Sequence, residues 1–331
     1  MWDMCYIGAM RQALPVVALS VLALAAGCSS NAGDDSGTSE DEVSKTTYVD
    51  IGDYWKSEAD QNAWFSLRDK IKKEFDNVCG DTFCGGDYSN LTSLGFTCAV
   101  SSARGSVHEC VWTFGGSSHL VNGGTGTVEA SVATFQCRVA PKTSARQLLA
   151  TLSAAGAEQS IHRALPGGAA SLYDVIGECF QHPVGASPIS QGTGTTYVDA
   201  IDSYDAGTEV DAFFSAGGAL RSGFDNVCGD TFCEGDYSNL EALRLACSVR
   251  STTGTLRSCK WLFAGSYNDI DSKTGAITVH AKTYQCALPV RGTANQLSSV
   301  LNAPSANGDD AIHRALPGST KSAYDVLVNC L

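Results

Sequence analysis

The stretch FDNVCGDTFC runs from Phe75 to Cys84 and returns, letter for letter, from Phe224 to Cys233. Its cysteines belong to a longer series: Cys79, Cys84, Cys98, Cys110 and Cys137 recur 149 residues further on as Cys228, Cys233, Cys247, Cys259 and Cys286. Cys179 recurs as Cys330, 151 residues on, so two residues entered between the fifth and sixth cysteines. TTYVD at Thr46 and Thr195, and IHRALPG at Ile161 and Ile312, keep the same frame. The chain therefore carries a tandem duplication, residues 46–180 and 195–331, joined at 181–194 by QHPVGASPISQGTG, a Pro- and Gly-bearing linker. Each copy is long enough for a core of its own, and the economical expectation is two separate bodies on one tether.

Working outward from the repeated stretch, Trp64, Leu67, Ile71 and Phe75, like Phe213, Ala216, Leu220 and Phe224, stand at helical spacing. The stretch thus begins on the last turn of an amphipathic helix, which Gly80 and Gly229 are suited to end. Cys98 and Val100, then Cys110, Trp112 and Phe114, alternate with polar residues about the turn at SSARGS, which predicts a hairpin with one buried face. Cys247, Val249, Cys259, Trp261 and Phe263 repeat it. A third strand runs from Thr127 and from Ala276. Ser144 with Gln147, and Thr293 with Gln296, have capping-box spacing ahead of a second helix, and Ser171 and Ser322 can cap a short third one. The expected fold class is α+β, two tandem copies of a small disulfide-rich domain: helix, three-stranded antiparallel sheet, two helices. That order is similar to the helix-and-curved-sheet folds of the cystatin or NTF2-like kind, an analogy of element order that implies no function.

At the other end of the chain, an uncharged stretch from Ala13 to Gly27 follows Arg11 and is too short for an ordinary membrane span. With Leu24-Ala25-Ala26-Gly27-Cys28 it resembles the lipobox signal of bacterial lipoproteins, read from a start at Met10. The resemblance implies that residues 1–27 are removed, that Cys28 is lipidated, and that Ser29 after it favours the outer membrane, periplasmic or surface side left open. Residues 28–45, rich in Ser, Gly, Asp and Glu, read as a flexible acidic tether. Six cysteines per copy in an exported chain point to three disulfides rather than metal ligands. The expected pairs are Cys79 with Cys84, Cys98 with Cys110 and Cys137 with Cys179, and correspondingly in the second copy.

The net charge of −13 is spread along the chain, with no basic face for phosphates, so nucleic acid is not an expected partner. Three groups of residues are candidates for chemistry. Asp81 and Asp87, and Asp230, Glu234 and Asp236, place carboxylates on the stapled loops in numbers that suit a weak calcium site, although the spacing is not that of an EF-hand and the same residues can satisfy loop amides. His162 and His313 are the only histidines at matching positions; with Arg163 and Arg314 they form either backbone-bonding loops or a recognition patch, while the other four histidines read as surface. Phe83, Tyr88, Phe232 and Tyr237 flank the stapled loops as core or as contact anchors.

No nucleophile elbow presents a serine, and no catalytic residue or cofactor is nominated. The expected function is a non-enzymatic binding or envelope-structural module. Its partners would be the membrane, through the lipid anchor, and an envelope or extracellular protein or glycan, with avidity from two linked copies. The alternative is a cell-surface hydrolase or inhibitor using the His-Arg loops or the acidic stapled loops.

Overall fold

The first copy opens with a short strand, β1 (Tyr48–Asp50), and one turn of helix, α1 (Ile51–Tyr54), before the long helix α2 (Glu58–Thr82). The computed structural model describes residues 46–156, 159–205, 207–304 and 310–331, the side chain of Asp81 apart; the segment 1–27 expected to be a signal, the expected lipidation site Cys28 and the expected tether 28–45 lie outside the described residues. Ser57 starts α2 by accepting the Asp60 amide (3.1 Å), and Trp64, Leu67, Ile71 and Phe75 are all buried along it. The expected glycine stop is not used. Helix α2 continues through Gly80, which has no left-handed φ, and ends where the Phe83 and Cys84 amides both donate to the Cys79 carbonyl (3.0 and 2.7 Å). The close Cys79–Cys84 pair, rather than a glycine, closes the turn.

Strands β2 (Thr92–Ser101), β3 (Val107–Val121) and β4 (Val128–Val139) follow, all antiparallel, and β1 pairs with β2. The sheet therefore has four strands where the sequence predicted three. Helix α3 (Ala145–Ser153) is capped by Ser144, a small hairpin joins β5 (Ala164–Leu165) to β6 (Ala169–Ser171), and α4 (Leu172–Cys179) carries a full capping box from Ser171 and Asp174. The second copy repeats the plan with β7 (Tyr197–Asp199), α5 (Gly207–Val227), β8 (Glu241–Arg250), β9 (Leu256–Ile270), β10 (Ile277–Leu288), α6 (Ala294–Leu301) and α7 (Ala323–Leu327). The cysteines stand at disulfide distance in the expected pairs, with Cα separations between 4.0 Å for Cys98–Cys110 and 5.7 Å for Cys286–Cys330.

One face of each sheet packs on its own helices, through Phe75, Trp112, Phe114, Phe135, Leu148 and Ile176 in the first copy. The other face was expected to be wet and is not. Leu94, Ala130 and Val132 of the first sheet meet Leu243, Leu262 and Ala264 of the second, and Ala99 and Val111 meet Ile277. The two sheets thus bury each other, which is why Thr113 and Ser117 are buried on nominally polar positions. Their layers run helix, sheet, sheet, helix. Among the described residues no helix is long and apolar enough to cross a membrane.

An approximate two-fold relates the copies. The Tyr48 amide donates to Ser272 O (2.9 Å) and the Tyr197 amide to Gly123 O (3.0 Å), each residue 149 from its equivalent. Gly115 meets its own equivalent, Ala264, so closely that a Cβ on Gly115 would lie 2.7 Å from the alanine Cβ; only glycine lets the sheets approach this far. Both copies also bulge at the same place, between Ser93 and Gly95 and between Ala242 and Arg244.

Candidate binding site on the second sheet edge

The two copies part company on the helix side of their last strands. In the first copy Phe83 stacks over Phe75 (6.4 Å between centroids) and reaches Tyr173 (5.0 Å) and Phe180 (5.4 Å), while Tyr88 stands edge-on to Phe135 (5.6 Å) with its hydroxyl 3.2 Å from Ser131 Oγ. Phe180 covers Phe114 and Phe135 (4.9 and 5.3 Å). The linker then meets the edge of β4 at one antiparallel bridge: the Thr134 amide donates to Val184 O (2.9 Å), the Val184 amide to Thr134 O (2.8 Å), and nearby the Ser187 amide donates to Ser131 Oγ (2.9 Å). Phe83 and Tyr88 are therefore half-buried parts of the first core, and the segment read as a linker doubles as cover for a sheet edge.

In the second copy Phe232 keeps the packed role, against Phe224 (5.9 Å) and Tyr324 (5.4 Å). Tyr237 does not. Four replacements surround it: Tyr267 for Ser118, His280 for Ser131, Lys282 for Ala133 and Tyr284 for Phe135, with Leu331 where the first copy has Phe180. Tyr267 stands edge-on to Tyr237 (5.3 Å), and His280, its direct cross-strand partner, stacks on it (4.5 Å, planes 13° apart) with Nε2 3.0 Å from Asp269 Oδ2. Lys282 Nζ lies 4.7 Å from the Tyr284 ring centroid and 5.6 Å from that of Tyr237. Loss of solvent first, and Asp236 and Asp269 next, push the Tyr267 hydroxyl above its usual value; a hydrogen bond that Lys282 donates to the Tyr284 oxygen raises Lys282, which stays cationic. The result is a partly exposed aromatic cluster with a fixed positive charge.

Beside it runs an open strand edge. Among the described residues β10 is the last strand of its sheet, and Thr283, the equivalent of Thr134, is exposed. By register its N–H and C=O point outward, as those of Thr134 do toward Val184.

The other candidates fall elsewhere. His162 is exposed and lies on Tyr173 (4.3 Å); His313 lies on Tyr324 (4.8 Å) and bonds Asp310 (2.8 Å). Arg163 donates to Thr151 O (3.1 Å) and Ala154 O (2.5 Å), and Arg314 to Val300 O (3.1 Å) and Leu301 O (2.9 Å), so both arginines satisfy carbonyls at the ends of α3 and α6. Asp87, Asp230, Glu234 and Asp236 are exposed, Asp81's side chain lies outside the described residues, and among the described residues no three His, Cys, Asp or Glu side chains converge. His119, read as surface, is instead buried and bonds the Asp199 carboxylate across the contact between the copies.

No family model, curated protein or solved structure matches the chain.

Proposed function

We propose that the chain is an exported, lipid-anchored binding protein, not an enzyme, whose second copy takes up an extended segment of an envelope or extracellular protein by strand addition to β10. The observation that carries this reading is internal: the same scaffold in the first copy accepts an extended segment, through Thr134 and Val184, on the equivalent edge. On β10 the backbone of Thr283 would supply the hydrogen bonds, and Tyr237, Tyr267 and Tyr284 a platform for alternate side chains of the incoming strand. Lys282 on such an edge discourages indiscriminate pairing. Because the first edge is covered by the linker, each chain offers one such edge, and avidity would require two chains on one target. The lipobox-like run ending at Cys28 supports anchoring, with the outer membrane favoured by Ser29.

Thr283→Pro tests the edge, since proline removes the outward donor equivalent to the Thr134 amide and breaks the row of edge donors at its middle. A partner captured from detergent-solubilised envelopes by the wild-type chain should be lost with Thr283→Pro; equal capture would overturn strand addition. Cys28→Ser should move the chain out of the membrane fraction, and unchanged fractionation would overturn the anchor.

A further inference from the structure

The helices of the two copies differ where they cross the bulged strands. Arg68 and Asp69 of α2 are replaced by Gly217 and Gly218 in α5, and Gly95 of β2 is replaced by Arg244 in β8. In the first copy the Arg68 guanidinium comes from the helix and lies 3.8 Å from where a Cβ on Gly95 would stand. In the second the guanidinium comes from the strand and leans toward the first copy, where Arg244 Nη2 donates to Ser89 Oγ (2.7 Å) and Nη1 stands 3.4 Å from His119 Nδ1. The space beneath α5 is left as a cavity of about 500 Å³, walled by Phe213, Phe214, Leu245 and Trp261 and ending at Arg244 and His119. That size is within the range of small-molecule sites, roughly 300 to 1,000 Å³.

Packing does not require the two glycines. A Cβ on Gly217 would meet nothing nearer than Leu245 Cβ at 3.9 Å, and one on Gly218 would meet nothing within 4 Å; neither has a left-handed φ. Glycine inside a helix is disfavoured against alanine, so what these two positions preserve is room. Phe214 at the wall is 58% exposed, an aromatic surface left without cover. Arg244 is partly buried, and among the described residues no carboxylate stands within ion-pairing distance of it; its partners there are a hydroxyl and a histidine whose far nitrogen is held by Asp199. Two of its five donors face those groups, and the others remain for an anion.

We infer that the cavity beneath α5 binds a small amphipathic carboxylate, its carboxyl group on Arg244 and its apolar body along Phe213, Phe214, Leu245 and Trp261. The site is separate from the β10 edge, and neither reading depends on the other.

The test uses the full exported chain in detergent below the probes' own micelle concentrations, with octanoate, octyl phosphate, octylamine and 1-octanol as probes, read by calorimetry and by the fluorescence of the Trp261 wall. Octanoate should bind at least tenfold more tightly than octylamine or octanol. Arg244→Gln should weaken octanoate at least tenfold, and Gly217→Leu should abolish binding while the melting temperature holds or rises. Equal binding of octanoate and octylamine to the wild-type chain, a comparison that needs no variant, would overturn the proposal. So would undiminished octanoate binding in Gly217→Leu. Tighter binding of octyl phosphate than octanoate would overturn the carboxylate assignment.

Discussion

Asn90 and Asn239 reach across the contact between the copies and do the same thing in opposite directions. Asn90 Nδ2 donates to Leu243 O (3.0 Å) and Asn239 Nδ2 to Leu94 O (2.8 Å), and each leucine is the residue its strand leaves out of register at the bulge. Each asparagine also accepts an amide from the strand of its own copy, Ser117 N (2.8 Å) and Ser266 N (2.7 Å). The bulges free a carbonyl that the ladder would otherwise use, and the other copy supplies the donor. The two sheets are joined by reciprocal bonds as well as by apolar contact.

Replacing Asn239 by alanine strands the Leu94 carbonyl and the Ser266 amide at once, and replacing Asn90 strands the Ser117 amide while leaving Leu243 O only its longer bond from Arg221 Nη2 (3.3 Å). Asn90→Ala and Asn239→Ala should each lower unfolding free energy by about 1 to 3 kcal/mol. Asn90→Asp should cost at least as much as alanine near neutral pH, because a carboxylate cannot donate to Leu243 O. Urea titrations of the three variants decide this. A change within about 0.5 kcal/mol, the usual scatter of surface substitutions, would show that water replaces these bonds without loss.

The same substitution at two equivalent threonines should have unequal effects. Thr134→Pro removes the amide that bonds Val184 O and should destabilise by about 1 to 3 kcal/mol, whereas Thr283→Pro removes an amide that faces the open edge and should stay within about 0.5 kcal/mol. Thermal melts of both variants provide the check. Equal losses would mean that the β10 edge is covered as the β4 edge is.

Local signals in the sequence were enough for much of this architecture. Trp64, Leu67, Ile71 and Phe75 marked a helical face, Cys98 and Cys110 fell symmetrically about a turn, and Ser171 and Ser322 stood where caps belong. Each is decided by neighbours a few residues away. The packing of sheet on sheet was not legible, because Ala99, Val111, Thr113 and Val132 are small or β-branched and suit a wet strand as well as a buried one. Strand β1 is three residues long and leaves no alternation to count. The cluster of Tyr237, Tyr267, His280, Lys282 and Tyr284 is assembled by strand register over more than 40 residues of chain; a position-by-position comparison of the two third strands, Ser131 with His280 and Ala133 with Lys282, is the signal that could have shown it.

Glu241 occupies a place where the first copy has Thr92, and Lys72 Nζ donates to its Oε1 across the contact between the copies. Burial raises its pKa above the ordinary glutamate value of 4.5, and Lys72 only partly opposes this. The folded chain therefore holds this proton more tightly than the unfolded chain, so the group's contribution to stability increases as pH falls from neutral through the raised value and levels off below about 4.5. Unfolding free energies of wild type and Glu241→Gln, measured from pH 7 to 4, should differ progressively in favour of the wild type as pH falls. A difference that moves the other way would mean that the Lys72 pair outweighs burial.

The six cysteine pairs should not be equivalent in what they contribute. Cys137–Cys179 and Cys286–Cys330 close loops of 42 and 44 residues, Cys98–Cys110 one of 12, and Cys79–Cys84 one of 5. On the chain-entropy view a cross-link stabilises by restricting the unfolded chain, which gives about 4 kcal/mol for the long loops, about 3 for the hairpin and about 2 for the shortest. Replacing both cysteines of a pair by alanine and measuring urea unfolding of the oxidised chain should reproduce that order. The long pairs have a second effect, because each ties the end of its copy, Cys179 in α4 or Cys330 three residues past α7, to the strand that forms the sheet edge, and Cys179 stands just before Phe180 and the linker segment that bridges to β4. Loss of Cys137–Cys179 should therefore also speed hydrogen exchange at the Thr134 amide, whereas loss of Cys79–Cys84 should leave that amide protected. If the two losses affect Thr134 alike, the edge cover is held by Val184 and Ser187 alone.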